Sequence, residues 1–137
     1  MIEIREYIAT QGRSPYARWF DGLNARAAAK VATALVRMEQ GNLSSAKGVG
    51  AGVSEYRIDF GPGYRVYFGK DGDTLIILLG GGTKKRQQKD IETAQDLWRE
   101  YKQRKRQETE SYGPDTRLQR NDPGPRRARS GLPRRTA

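Results

Sequence analysis

Residues 53 to 86, VSEYRIDFGPGYRVYFGKDGDTLIILLGGGTKKR, constrain the fold more than any other stretch, because they spell three successive strands with two tight reversals between them. In Val53 to Phe60, Tyr56, Ile58 and Phe60 alternate with Glu55, Arg57 and Asp59, so one face is expected in the core and the other in water. Gly61, Pro62 and Gly63 supply a turn, since glycine accepts positive φ and proline brings its own φ already set. The chain returns through Tyr64 to Gly69, with Arg65 and Tyr67 alternating against Tyr64, Val66 and Phe68. After a second turn at Asp71, Gly72 and Asp73, the run Thr74 to Leu79 is apolar on both faces, as a central strand requires.

The flanks supply helices and one more strand. Met1 to Ala9 alternates Ile2, Ile4 and Ile8 against Glu3, Arg5 and Tyr7, which predicts a strand at or near the sheet's edge. Ser14 before Pro15 is a helix start, and Tyr16, Trp19, Phe20 and Leu23 form its apolar face. Asn24 opens a second helix, in which Ala28, Val31, Leu35 and Met38 recur at helical spacing until Gly41. The two should pair on the apolar face of the sheet. Residues 42 to 52, rich in glycine and serine, read as a loop. Gly48, Gly50 and Gly52 imitate a dinucleotide fingerprint but precede a strand instead of a helix, which removes that reading. Gly80 to Gly82, followed by Thr83, Lys84 and Lys85, lack the spacing of a phosphate-binding loop and read as a sharp turn off the last strand or, since a helix begins just afterwards, as a site for a phosphate of RNA. From about Arg86, Ile91, Ala94, Leu97, Trp98 and Tyr101 mark one face of a third helix, which should cover the sheet or the helix pair. The expected architecture is α+β: a small antiparallel sheet, made of an N-terminal strand and a three-strand meander, with a helix pair and a C-terminal helix.

Composition then narrows the chemistry. The chain has no cysteine and no histidine, so disulfides, thiolate metal sites, the commonest general base and the commonest metal ligand are all missing, and neither a metal nor a cofactor is expected. A hydrophobic content of 35% supports one modest core in 137 residues. Of the formal charge of +10, residues 113 to 137 carry +5, from seven arginines against Asp115 and Asp122, and the rest of the chain carries the other half. With four prolines among them, these last residues have too little apolar surface to offset ordering, so a domain at 1–106 and a basic, disordered tail at 107–137 are expected. No apolar run has a membrane span's length and the N-terminus lacks a signal peptide's build, which leads us to expect a cytoplasmic protein without a membrane partner.

The runs EYRIDFGPGYRVYF and DTLIILLGGGTKKRQQKDI, preceded by the loop at Gly41 and Asn42, resemble addiction-module killer proteins, the HigB-like branch of the RelE/ParE toxin superfamily. The likeness spans about residues 1 to 105. It implies a RelE-like fold, and a toxin that cleaves mRNA at the ribosome without a metal and is held in check by a cognate antitoxin, a helix-turn-helix protein from the adjacent gene. In such enzymes the RNA 2′-hydroxyl attacks the neighbouring phosphate while basic side chains stabilise the charged transition state, work to which arginine's fixed fork is suited. Carried over by position, the likeness makes Arg65, Arg57 and Arg86 the catalytic candidates and Lys84 and Lys85 the RNA-binding ones. Tyr67, on the Arg65 face, is a candidate for stacking on a base. The chain departs from the pattern twice: Asp59 stands where a lysine is usual, and no tyrosine or histidine appears around Gln88 to Ile91. Glu55 and Asp59 read first as partners in cross-strand salt bridges on a solvated sheet face and second as bases, a role a neighbouring cation would weaken. The same fold also implies an alternative without nuclease activity, a ParE-like poison of DNA gyrase, or a plain basic binding module.

Overall fold

The computed structural model describes residues 1 to 112, so the segment expected to be a disordered tail lies almost wholly outside the described residues. The elements are β1 (Glu3–Glu6), α1 (Pro15–Asp21), α2 (Ala25–Glu39), β2 (Ala46–Gly50), β3 (Val53–Ile58), β4 (Tyr64–Asp71), β5 (Leu75–Thr83), a 3₁₀ turn (Lys84–Arg86) and α3 (Gln87–Tyr112). Two compact units divide this chain at Tyr101. The fold described below is that of the first, and the described part of the second, from Lys102, is helical. Among the described residues no helix is long and apolar enough to cross a membrane.

The α+β architecture is as expected, with two corrections to the sheet. It has five strands in the order β1-β5-β4-β3-β2, one of them inside the expected loop of residues 42 to 52. It is also mixed instead of antiparallel, because β1 runs parallel to β5, Glu3 to Glu6 pairing with Leu75 to Leu78. A parallel pair needs a long crossover, and everything from α1 to β4 supplies it.

One face of the sheet carries α1 and α2. Ser14 Oγ accepts the Ala17 N–H at 3.0 Å and Asn24 Oδ1 accepts that of Ala27 at 2.9 Å, so both helices start at the side-chain caps expected of them. Past Gln40, Gly41 takes a φ of +86°, a left-handed turn that ends α2. Val31, Ala34 and Met38 of α2 and Tyr16 of α1 close over Tyr56, Ile58, Val66, Phe68, Ile76 and Leu78.

The other face was expected to be wet, and it is not. Ala94 and Trp98 of α3 cover Val53, Tyr67, Ile77 and Leu79. Tyr7 is buried here as well, its hydroxyl donating to Glu100 Oε1 at 2.9 Å. Alternation had assigned this face to water because Glu55, Arg57, Arg65 and Tyr7 look polar, but α3 hides all of them except Arg57.

Glycines set how closely the helices approach. A Cβ on Gly69 would enter the Trp98 indole, one on Gly81 the Trp19 indole and one on Gly82 the Asp90 carboxylate. The register shifts between Tyr67 and Phe68 opposite β5, which moves the alternation by one residue, so that Gly81 meets α1 and Gly82 meets α3. Gly80 to Gly82 therefore continue β5 and do not turn it, a further correction. Trp19 also packs against Tyr16 and Tyr64, so making room at Gly81 would disturb both contacts. Gly81→Ala should accordingly cost about 1 to 3 kcal/mol, the range for overpacking, as measured by urea denaturation.

Candidate functional site

The end of the sheet where β3 turns into β4 and β5 leaves for α3 gathers every sequence-predicted cation. Gly63 ties its parts together. Its carbonyl accepts the Lys84 N–H at 3.1 Å, which fastens the 3₁₀ turn to the β3–β4 hairpin, and also accepts Arg65 Nη1 at 3.0 Å. Across the ladder Arg57 is the register partner of Arg65, and Arg65 of Gly82.

The two arginines differ in their surroundings. Arg57 is exposed, as are Lys84, Lys85 and Arg86, and none of the four has a carboxylate within ion-pair distance among the described residues. Arg65, expected on a solvated face, is only 7% exposed. Its Nε lies 3.5 Å from Oε1 of Glu55, which is itself fully buried. That separation makes an ion pair and is too long for a good hydrogen bond, so the attraction is chiefly Coulombic. Gln87, in the first turn of α3, donates to the other Glu55 oxygen at 2.8 Å. The carboxylate is thus held between a strand arginine and a helix amide.

Tyr67 stands opposite Glu55 in the ladder and is 1% exposed, which corrects the expectation that it could stack on a base. Its hydroxyl faces Glu55 without closing a hydrogen bond. Burial, then the negative charges of Glu55 and Asp90, push the phenol well above the usual tyrosine range. Asp90, against Gly82, is raised by its own burial, with Arg86 and Lys89 pulling the other way. Asp59 is exposed at the hairpin. Chemically, this sheet end presents one arginine fixed by a buried carboxylate and a backbone carbonyl, beside four cations free to meet an anion.

A family of phage-derived proteins, described as Gp49-like, matches residues 18 to 99, from the middle of α1 to well into α3. The chain belongs to the Gp49-like family. This family is of the addiction-module, RelE-like kind, and the matched span contains every site residue named above. A relative from Haemophilus influenzae, itself called an uncharacterized protein, is 45% identical over 83 residues, covering 60% of this chain and 84% of its own length.

Three members of this Gp49-like site escaped the sequence reading: Glu55 as a buried residue, Gln87 and Asp90. A signal was available for the last two. At spacings of three and four residues they share a helix face with Ala94 and Trp98, and so were bound to face the sheet. Nothing comparable marked Glu55.

Because breaking a buried pair strands a charge, Glu55→Met alone should cost about 3 to 5 kcal/mol. The Glu55→Met, Arg65→Met double variant should lose clearly less than the two single losses combined, and a double-mutant cycle by chemical denaturation measures this. Tyr67 generates a prediction in alkali. Above its ordinary value of about 10 the unfolded chain releases the phenol proton while the folded chain retains it, so stability falls as pH rises through this window. Tyr16, pushed up to about 12 mainly by burial, acts in the same direction. Tyr67→Phe should be at least as stable as the parent at pH 7 and should lose stability less steeply above about pH 10, as followed by denaturant midpoints across that range.

Proposed function

We propose that this chain is the toxin of a type II toxin–antitoxin pair, HigB-like within the RelE/ParE superfamily, and that it cleaves mRNA at the ribosome. The observation that carries the proposal is the anchored Arg65 beside four exposed cations with no carboxylate partner among the described residues. A phosphodiester passing through a doubly charged phosphorane needs fixed positive donors where the charge develops. Arg65 is held on both sides, and Arg57 stands next to it on the neighbouring strand. In this scheme the 2′-hydroxyl attacks the adjacent phosphorus and the bond to the 5′-oxygen breaks, leaving a 2′,3′-cyclic phosphate and a 5′-hydroxyl. Arg65 and Arg57 bear on the phosphorane oxygens, Arg86 faces the leaving side, and Lys84 and Lys85 hold the flanking backbone. Glu55, closed off beneath Gln87, serves to position Arg65.

The partner we propose is an antitoxin encoded by the adjacent gene, whose acidic or amphipathic segment would neutralise and cover the same cations. The mechanism uses side chains and RNA alone, and we place it in the cytoplasm.

Arg65→Lys keeps a cation for Glu55 but loses the fork, and should lower cleavage about 100-fold or more while the chain stays folded. Arg57→Ala should reduce cleavage less and change stability by no more than about 0.5 kcal/mol. Induced expression followed by mapping of RNA 5′ ends reads the activity, which should persist in EDTA and be silenced by co-expression of the partner. Growth arrest with intact mRNA and gyrase-dependent DNA damage would put the gyrase poison in place of the nuclease.

A further inference from the structure

A groove of about 700 Å³ opens where β1 gives way to α1, lined by Gln11, Arg13, Ser14, Arg18 and Trp19 together with Ala9 and Pro15. This volume suits a drug-sized or nucleotide-sized group. The groove has a tight base: the Gly12 N–H donates to the Ala9 carbonyl at 2.8 Å, the Ala9 N–H to the Arg13 carbonyl at 2.8 Å, and Gly12 takes a φ of +81°. Its lining is cationic without compensation. Arg13 and Arg18 are both exposed, neither makes an ion pair with a carboxylate among the described residues, and no acidic side chain lines the groove.

Trp19 connects this groove to the site already described. Part of its indole lines the groove while the ring sits on Gly81, the neighbour of Gly82, which is the register partner of Arg65. The groove and the Arg57–Arg65 cluster therefore lie at the same end of β5, one on each face of the sheet, so a strand of RNA would reach from one to the other around that end.

We propose that this groove is a second subsite for single-stranded RNA, taking one nucleotide with its phosphate against Arg13 and Arg18 and its base against Trp19. The inference rests on the endoribonuclease reading and extends it, by giving the strand a grip beyond the reacting phosphate. Two guanidinium forks provide bidentate donors for phosphate oxygens. An indole offers a stacking face to any base, and Gln11 supplies both a donor and an acceptor for a base edge. An acidic peptide could satisfy the arginines and the amide, but each nucleotide brings a phosphate and a flat stacking ring together, which matches two guanidinium forks beside an indole and favours RNA.

The test uses the full chain and a fluorescein-labelled ten-nucleotide 2′-O-methyl RNA, which lacks the attacking hydroxyl and stays intact. Arg13→Ala with Arg18→Ala should weaken binding about tenfold by anisotropy, and the slope of log affinity against log salt should fall by about 0.7 for each phosphate that is no longer neutralised. Both arginines are exposed, so the melting temperature should not move. Trp98→Phe leaves Trp19 as the only one of the chain's two tryptophans, and its emission should be quenched by the same RNA. Unchanged affinity and salt slope in the double variant would overturn the proposal whether or not Trp98→Phe folds. So would quenching of Trp19 by a polyglutamate peptide and not by RNA, which would assign the groove to an acidic protein segment. Wild-type protein that binds through the groove but never cuts RNA would overturn the nuclease reading alone, whereas cleavage with groove-independent binding would overturn only the subsite.

Discussion

The Glu55–Arg65 pair is the interaction on which the candidate site depends. Two opposite charges lie 3.5 Å apart between the sheet and α3, with Glu55 out of contact with water. Taking such groups out of water is costly, and the cost is offset only while both partners and their remaining hydrogen bonds stay in place. Gln87 and the Gly63 carbonyl provide those bonds. The result is an arginine whose charge is kept and whose orientation is set, at the point where the chain leaves the sheet.

That pair could not be covered if α3 did not lie close to the sheet, and glycine is what allows it. Trp98 rests on Gly69 and Asp90 on Gly82, while on the opposite face Trp19 rests on Gly81. A side chain at Gly69 or Gly82 would push α3 away from Glu55 and from the apolar layer formed by Val53, Tyr67, Ile77 and Leu79, and one at Gly81 would push α1 off the other face. Successive glycines face opposite sides as in any strand, and the register shift in β5 decides that Gly81 is the one that meets α1 and Gly82 the one that meets α3. The Arg57–Arg65 cluster and the Trp19 groove come to one end of one strand, on opposite faces of the sheet.

Cations divide between two tasks at this end. Arg65 is buried and held, whereas Arg57, Lys84, Lys85 and Arg86 stay in water; under the proposed function the first would lose little freedom on meeting a phosphate and the others would attract it over a longer range. The residues matched by the Gp49-like family, 18 to 99, enclose the strands that carry both kinds of cation and the turn that carries three of them.

The sequence by itself determined β3, β4 and β5, both helix starts, the end of α2 at Gly41 and the apolar stripe of α3, because each depends on local periodicity, capping or turn chemistry. It also determined which cations meet, since hairpin register puts Arg57 beside Arg65. Tertiary structure decided the rest. The direction of β1 follows from the path of the crossover, which alternation does not encode. Strand β2, with Ala46 and Val49 as its only apolar side chains, forms because β3 offers a free edge and Gln95 of α3 donates to the Val49 carbonyl at 2.9 Å. Above all, a strand of alternating polar and apolar residues implies one wet face only if nothing covers it. Here a helix with its own polar residues, Gln87 and Asp90, covers Glu55, Arg65 and Tyr67, because a buried charge is tolerated wherever its partner arrives from elsewhere in the chain.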